Sequence, residues 1–238
     1  MNNKTIAIIG AMDCEVERLI ALLNNKQKIN KRNLYIYKGE YLNHKLIVAK
    51  SGVGKVNSAM CTQYIIDNFN PDFIINTGIA GGISQELSVG DIVIGKELIQ
   101  YDFDTSALGY AKGYMCTGIN KDKATKYYSD DKLILEFEKA LSTSNTEIKT
   151  HQGIIATGDT FVATIEKKQE IKNIFNATAC EMEGCAIAQT SNANDIPCLI
   201  VRAISDLADG SAVKSLDIFE KEMAEVSAST IETLLKSI

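Results

Sequence analysis

Three acidic segments of this chain leave apolar runs at points where proton transfer or hydroxyl binding could take place. The first is Gly10-Ala11-Met12-Asp13-Cys14-Glu15-Val16-Glu17, which leads into Val16, Leu19, Ile20 and Leu23 at helical spacing. At 100° per residue, Glu15 stands about 90° from the centre of that stripe, at the margin of the buried face. In a first helical turn the dipole favours an ionised acid. A simple polar helix start accounts for the same residues. The second segment is Cys180-Glu181-Met182-Glu183-Gly184. In extended backbone the two acids point to one side and Met182 to the other. A carboxylate can accept from both hydroxyls of a vicinal diol, so a ribose suits the pair; a solvated strand end is the plain alternative. The third is Leu199-Ile200-Val201-Arg202-Ala203-Ile204-Ser205-Asp206. Arg202 interrupts an apolar run and needs buried partners. In a regular strand Arg202 and Asp206 share a face, either as a structural ion pair or as part of a site.

Two glycine segments accompany the acids. Ser51-Gly52-Val53-Gly54-Lys55-Val56-Asn57 resembles the start of GxGxxG, but Asn57 replaces the third glycine and P-loop spacing is absent. It reads as a weak dinucleotide signal or a tight strand-to-helix turn. Asn76-Thr77-Gly78-Ile79-Ala80-Gly81-Gly82 would let a flat ligand approach the backbone, whose N–H and C=O groups could read a purine edge.

The elements that must position these residues alternate along the chain. Strands are expected at Thr5–Gly10, Asp72–Thr77, Asp91–Ile99, Gly153–Thr157 and Cys198–Ile204. Leu34–Leu42 and Lys45–Lys50 form a hairpin turning at Asn43-His44. Helices are expected at Cys14–Leu23, Lys55–Phe69, Lys132–Leu141, Ile165–Phe175, Gly184–Ala193 and Leu216–Ile238. Residues 102–129 form a long surface excursion. Near-continuous apolar strands between amphipathic helices predict a single domain over 1–238. Its fold would be α/β, a three-layer αβα sandwich with a mixed, mostly parallel central sheet. Ligands of such folds lie beyond the carboxyl ends of the strands, here the segments 10–15, 51–55, 77–82, 158–162 and 205–209.

Composition narrows the function classes. The chain has 238 residues, 45% hydrophobic and 23% charged, with a net charge of −5, and only three arginines, Arg18, Arg32 and Arg202. A nucleic-acid partner is not expected without a concentrated basic surface. The Ile6–Ile9 run is too short for a signal-peptide core and no long apolar stretch follows, so no membrane association and a cytoplasmic location are expected. Six cysteines without a CxxC pair and two distant histidines, His44 and His151, offer no metal-ligand spacing. The cysteines read as reduced, mostly buried small hydrophobes.

Taken together, the segments resemble the 5′-methylthioadenosine/S-adenosylhomocysteine nucleosidases of the purine phosphorylase-like superfamily, over nearly the whole chain. The resemblance rests on Ile8-Ile9-Gly10-Ala11-Met12 through Glu15-Val16, Ser51 to Val56, Ile74 to Gly78 with Ala80-Gly81-Gly82, Val89 to Val93, Gly158-Asp159 with Phe161, Glu181-Met182-Glu183, and Arg202 to Asp206. It implies hydrolysis of an adenine nucleoside's N-glycosidic bond, in methionine salvage and removal of a methyl-cycle by-product, with no cofactor and no metal. Asp206 would be the general acid at adenine N7, and Glu15 the base that activates water. Met182 and Glu183, with Glu181 beside them, would hold the ribose, and Phe161 would stack near adenine. Val162 would offer backbone groups to the base. Ile79, Ala80 and Gly81 would line the pocket, with Arg202 supporting the water and acid cluster. Met12, Leu108, Tyr110 and Leu216 would form the 5′ pocket. The family also implies a homodimer whose partner completes that pocket near Leu108 and Tyr110. Three positions depart from the pattern. Ile79 stands where some members have serine, and Leu108 and Leu216 where phenylalanines are common, which bears on 5′-substituent preference.

Rival readings are a nucleoside phosphorylase of the same superfamily, a non-catalytic purine-nucleoside-binding protein and a dinucleotide-dependent oxidoreductase. Phosphate favours arginine forks and clustered cations. Of the three arginines only Arg202 lies in a candidate site segment, which favours water as the nucleophile.

Overall fold

The computed structural model describes residues 3–31, 34–117, 119–144, 148–208 and 212–238; the side chains of residues 30 and 212–218 lie outside that description. The strands are β1 (Thr5–Gly10), β2 (Asn24–Lys31), β3 (Leu34–Tyr41), β4 (His44–Lys50), β5 (Phe73–Asn76), β6 (Ile79–Gly82), β7 (Ile92–Gln100), β8 (Tyr127–Tyr128), β9 (Thr150–Thr157), β10 (Ala179–Glu181) and β11 (Cys198–Asp206). The helices are α1 (Asp13–Ala21), α2 (Lys55–Phe69), α3 (Asp131–Thr143), α4 (Ile165–Phe175), α5 (Gly184–Ala193) and α6 (Ala212–Ser237). No helix among the described residues is long and apolar enough to cross a membrane.

The sheet runs β2-β3-β4-β1-β5-β11-β6-β10-β9-β7-β8, and β11 also pairs with β7. Its centre is parallel: β1 with β4 and β5, and β11 with β5 and β6. Both faces are covered, which is why the central strands are near-continuously apolar up to their carboxyl ends, Arg202 apart. In β1, Ile6 and Ile8 join Val16 and Leu19 of α1, Phe137 of α3 and Ile231 of α6 in one cluster. Ala7 and Ile9 point the other way, joining Cys61 and Ile65 of α2 and Ile187 of α5. Two helical layers therefore sandwich the mixed, mostly parallel sheet. Cys61, Cys180, Cys185 and Cys198 are buried and unpaired.

Several features depart from the sequence expectation, the short strands β8 and β10 among them. The polar Asn24–Lys31 segment is a strand, pairing antiparallel with β3 at the sheet edge; lysines there oppose edge-to-edge aggregation, and their polarity hides the strand from an apolar pattern. The glycine segment after β5 contains β6, which pairs with β10 and β11. The antiparallel β11–β7 pairing closes β11, β6, β10, β9 and β7 into a ring. The β3–β4 turn falls one residue early, leaving His44 buried within β4.

Candidate active site

The strand ends meet in a cleft of about 160 Å³. Its walls come from the α1 start (Ala11, Met12, Glu15), the β6 segment (Ile79, Ala80, Gly81) and the β10–α5 junction (Cys180, Glu181, Met182, Glu183). Ser205, Asp206, Val53 and Phe161 complete it. Val162 lines an adjoining recess with Phe161 and Asp206. Phe161, which lines both the cleft and the recess, is 43% exposed.

Glu15 turns back over the start of α1. One carboxylate oxygen accepts from the Ala11 and Met12 amides at 2.6 and 3.0 Å, the other from the Ile79 amide at 3.1 Å. A Cβ on Gly78 would collide with this carboxylate and with the Arg202 guanidinium, so only glycine allows the approach. Burial pushes the Glu15 pKa up, against the pull of Arg202 and of the three amides.

Glu181 and Glu183 are two residues apart and differently engaged. Glu181 accepts from Thr157 Oγ1, from Arg202, and from the Glu183 and Gly184 amides at 3.0 and 2.6 Å. It thereby satisfies amides at the α5 N-terminus, and its structural bonds occupy both oxygens. Glu183 accepts from the Gly54 amide at 2.9 Å and faces Arg202 Nη2 at 3.4 Å. Burial, with repulsion from Glu181 and Glu15, pushes the Glu183 carboxyl up to about 8, against the lowering pull of Arg202 and the Gly54 amide.

Arg202 is fully buried behind the cleft wall rather than on it. It donates to the Thr77 carbonyl at 3.0 Å, to Asn76 Oδ1 at 2.8 Å, and to both glutamates. Burial alone would lower its pKa, but Glu181, Glu183 and Glu15 hold it up. Its place behind the wall suits it to fixing carboxylates rather than touching a ligand.

Asp206 is the last residue of β11 and 2% exposed. It accepts from Ser205 Oγ at 2.9 Å and from the Ala208 amide at 2.8 Å. The register shifts between Ile204 and Asp206, so the simple alternation linking Arg202 to Asp206 does not hold. The irregularity leaves Arg202 behind the wall and Asp206 on it.

Glu15, Glu183 and Asp206 thus line one cleft although they are distant in the chain. Leu108 lies apart, 71% exposed in a one-turn helix over Ser106–Leu108, and Tyr110 packs against Tyr114. Within one chain neither lines the cleft. The Leu216 side chain lies outside the described residues. Ala11, Val53, Cys180 and Ser205 are cleft residues to which the sequence assigns no role; each sits inside a candidate segment, but spacing alone does not reveal which way they point. The Gly54 amide bond to Glu183 was likewise invisible, because a backbone donor leaves no mark in composition.

Residues 5–238 match the family model of the phosphorylase superfamily. The 5′-methylthioadenosine/S-adenosylhomocysteine nucleosidase of Staphylococcus haemolyticus is 38% identical over 232 residues, 97% of this chain and 99% of that protein. The crystal structure of the nucleosidase of that name from Neisseria meningitidis, in complex with methylthio-immucillin-A, is similar with a TM-score of 0.92 and 39% identity, over 99% of this chain and 100% of that one. The futalosine hydrolase of Helicobacter pylori is similar with a TM-score of 0.92 and 30% identity, over 99% of this chain and 98% of that one.

Proposed function

The chain belongs to the phosphorylase superfamily and, within it, to the 5′-methylthioadenosine/S-adenosylhomocysteine nucleosidases, and from that membership we propose how its carboxyl groups divide the reaction. It is an N-glycosyl hydrolase that splits methylthioadenosine and adenosylhomocysteine into adenine and the 5′-thioribose product.

Adenine is a poor leaving group as an anion. Asp206 protonates N7, so the base departs neutral while the sugar gains oxocarbenium character. Ser205 and the Ala208 amide hold that carboxyl in a water-poor position. Glu15 takes the proton of the attacking water. Burial raises its pKa above the ordinary carboxylate range and makes it a stronger acceptor, while Arg202 and the three amides pull the other way. Glu183 grips the ribose hydroxyls beside Met182. Phe161 stacks on the base, and the Val162 backbone meets its edge. Ile79, Ala80 and Gly81 line the same pocket, and Met12 starts the 5′ side. Glu181 and Arg202 serve as the frame that orients Glu183.

The observation that carries this reading is the placement of Glu15, Glu183 and Asp206 on one cleft wall system. The two arginines among the described residues argue against a phosphate co-substrate: Arg18 is engaged by Glu225 and Glu232, and Arg202 by Glu181 and Glu183. The test is adenine release from methylthioadenosine in phosphate-free buffer. Full turnover is expected there, and strict dependence on added phosphate would overturn the reading in favour of a phosphorylase.

The cleft is smaller than the ~300–1,000 Å³ typical of small-molecule sites, so the 5′ substituent extends past its open edge. Val53, which lines the cleft, and Val56 and Met60 of α2 just beyond it are exposed apolar residues that a second copy of the chain could cover to close that edge. A homodimer by size-exclusion chromatography is expected; a fully active monomer would contradict it. Free cysteines fit a reducing compartment, hence the cytoplasm.

A further inference from the structure

The glycine turn before α2 plays no part in the chemistry above, and neither do Lys55, Asp102 and Asp159. Lys55 opens α2, where the helix dipole disfavours a cation. Two carboxylates from separate strand ends offset this. Lys55 Nζ donates to Asp102 Oδ1 at 2.6 Å, and the Lys55 amide donates to Asp159 Oδ1 at 2.8 Å. The Asp159 amide donates to Asp102 Oδ2 at 2.9 Å. These three bonds close a ring, in which the Lys55 and Asp102 side chains are only 17% and 24% exposed. One residue earlier, Gly54 has φ +100° and gives its amide to Glu183. A Cβ on Gly54 would sit 3.1 Å from Asp159 Oδ1, so the turn is wedged between Asp159 and Glu183. None of the three ring residues lines the cleft.

We propose that the Lys55–Asp102–Asp159 ring is a positioning device for Glu183. It fixes the Gly54 amide, and that amide fixes one oxygen of the carboxylate. The remaining contact of Glu183 with Arg202 is long, 3.4 Å, and leaves the carboxylate free to rotate if the amide moves. Charge-assisted bonds hold such geometry more firmly than neutral ones, and a small misplacement of a binding group is costly. The inference rests on Glu183 as the ribose-binding acid.

The experiment measures affinity for the hydrolysis-resistant C-nucleoside counterpart of methylthioadenosine by calorimetry. Variants are Asp102→Asn, Glu183→Gln, the double variant, Lys55→Met and Lys55→Arg, each checked for a cooperative thermal transition. Asp102→Asn is expected to weaken binding about ten-fold, the effect of roughly one lost charge-assisted bond. In the Glu183→Gln background the same change should cost less than about two-fold, because its route of action is gone. Lys55→Met should behave like Asp102→Asn, and Lys55→Arg should recover most of the affinity. Equal losses in both backgrounds, or no loss from Asp102→Asn, would overturn the ring's role while leaving that of Glu183 intact. Unchanged binding by Glu183→Gln would overturn both. If Asp102→Asn fails to fold, Lys55→Met against Lys55→Arg, with and without Glu183→Gln, decides the matter in the same way.

Discussion

The middle of the sheet and the ends of its strands are equally buried and chemically opposite. In β1, β4 and β5 alternate residues fill two apolar clusters, one under each helical layer. A few residues further along, Glu15, Glu181, Glu183, Arg202 and Asp206 are buried to the same depth. Three of the acids surround one guanidinium, and backbone amides contact all four. The apolar region gains stability from dehydration alone, with no directional requirement. The polar region holds charge in place only while each group keeps its partners. The same burial therefore serves stability in one region and proton chemistry in the other.

The sharpest break of this contrast is Asp206→Asn. It keeps the shape and removes the proton donor, so kcat should fall by about 10²–10⁴-fold with the thermal midpoint nearly unchanged. Wild-type turnover in that variant would remove Asp206 from the chemistry. Arg202→Met tests the frame. Leaving three acids without their cation should cost on the order of 3–5 kcal/mol in urea unfolding; a loss under about 1 kcal/mol would show that the acids do not depend on it.

Much of this arrangement is legible in the sequence, for a physical reason. Strands covered on both faces must be apolar throughout, so Thr5–Gly10 and Cys198–Ile204 announce themselves. A charge inside such a run, as at Arg202, marks a place where partners must converge. What stays hidden depends on partners distant in the chain. The β2 edge strand is polar because Ile29 alone among its described side chains is even partly buried. β6 and β10 are short and owe their existence to pairing with β11 and β9. The irregularity before Asp206 and the Gly54 amide on Glu183 are backbone events that residue types do not record. Glu15 is fully buried where a helical wheel places it only at the margin, and that burial pushes its pKa up.

Two smaller effects refine the comparison. The folded-state pKa of Glu183 is raised to about 8 from an ordinary 4.5, so folding takes up a proton between those values. Its contribution to stability is fully present below about pH 4.5 and is lost as pH rises through about 8. The slope should reach at most about 1.4 kcal/mol per pH unit for one proton. Urea unfolding across that window should show a decline that Glu183→Gln flattens; an identical slope in the variant would assign the proton elsewhere. The smallest change is Ile8→Val in the apolar region, expected to cost about 1 kcal/mol of stability and nothing in kcat. A selective loss of turnover there would show that the two regions are not separate.

The central claim is that three acids from distant segments act on one sugar–base linkage. A crystal structure with the methylthio C-nucleoside bound tests it most directly. Asp206 should lie within hydrogen-bond reach of the base N7, about 2.6–3.2 Å, with Glu183 on the ribose hydroxyls and Glu15 facing C1′ across one water. A ligand seated with its glycosidic bond away from any one of these carboxyl groups would contradict it.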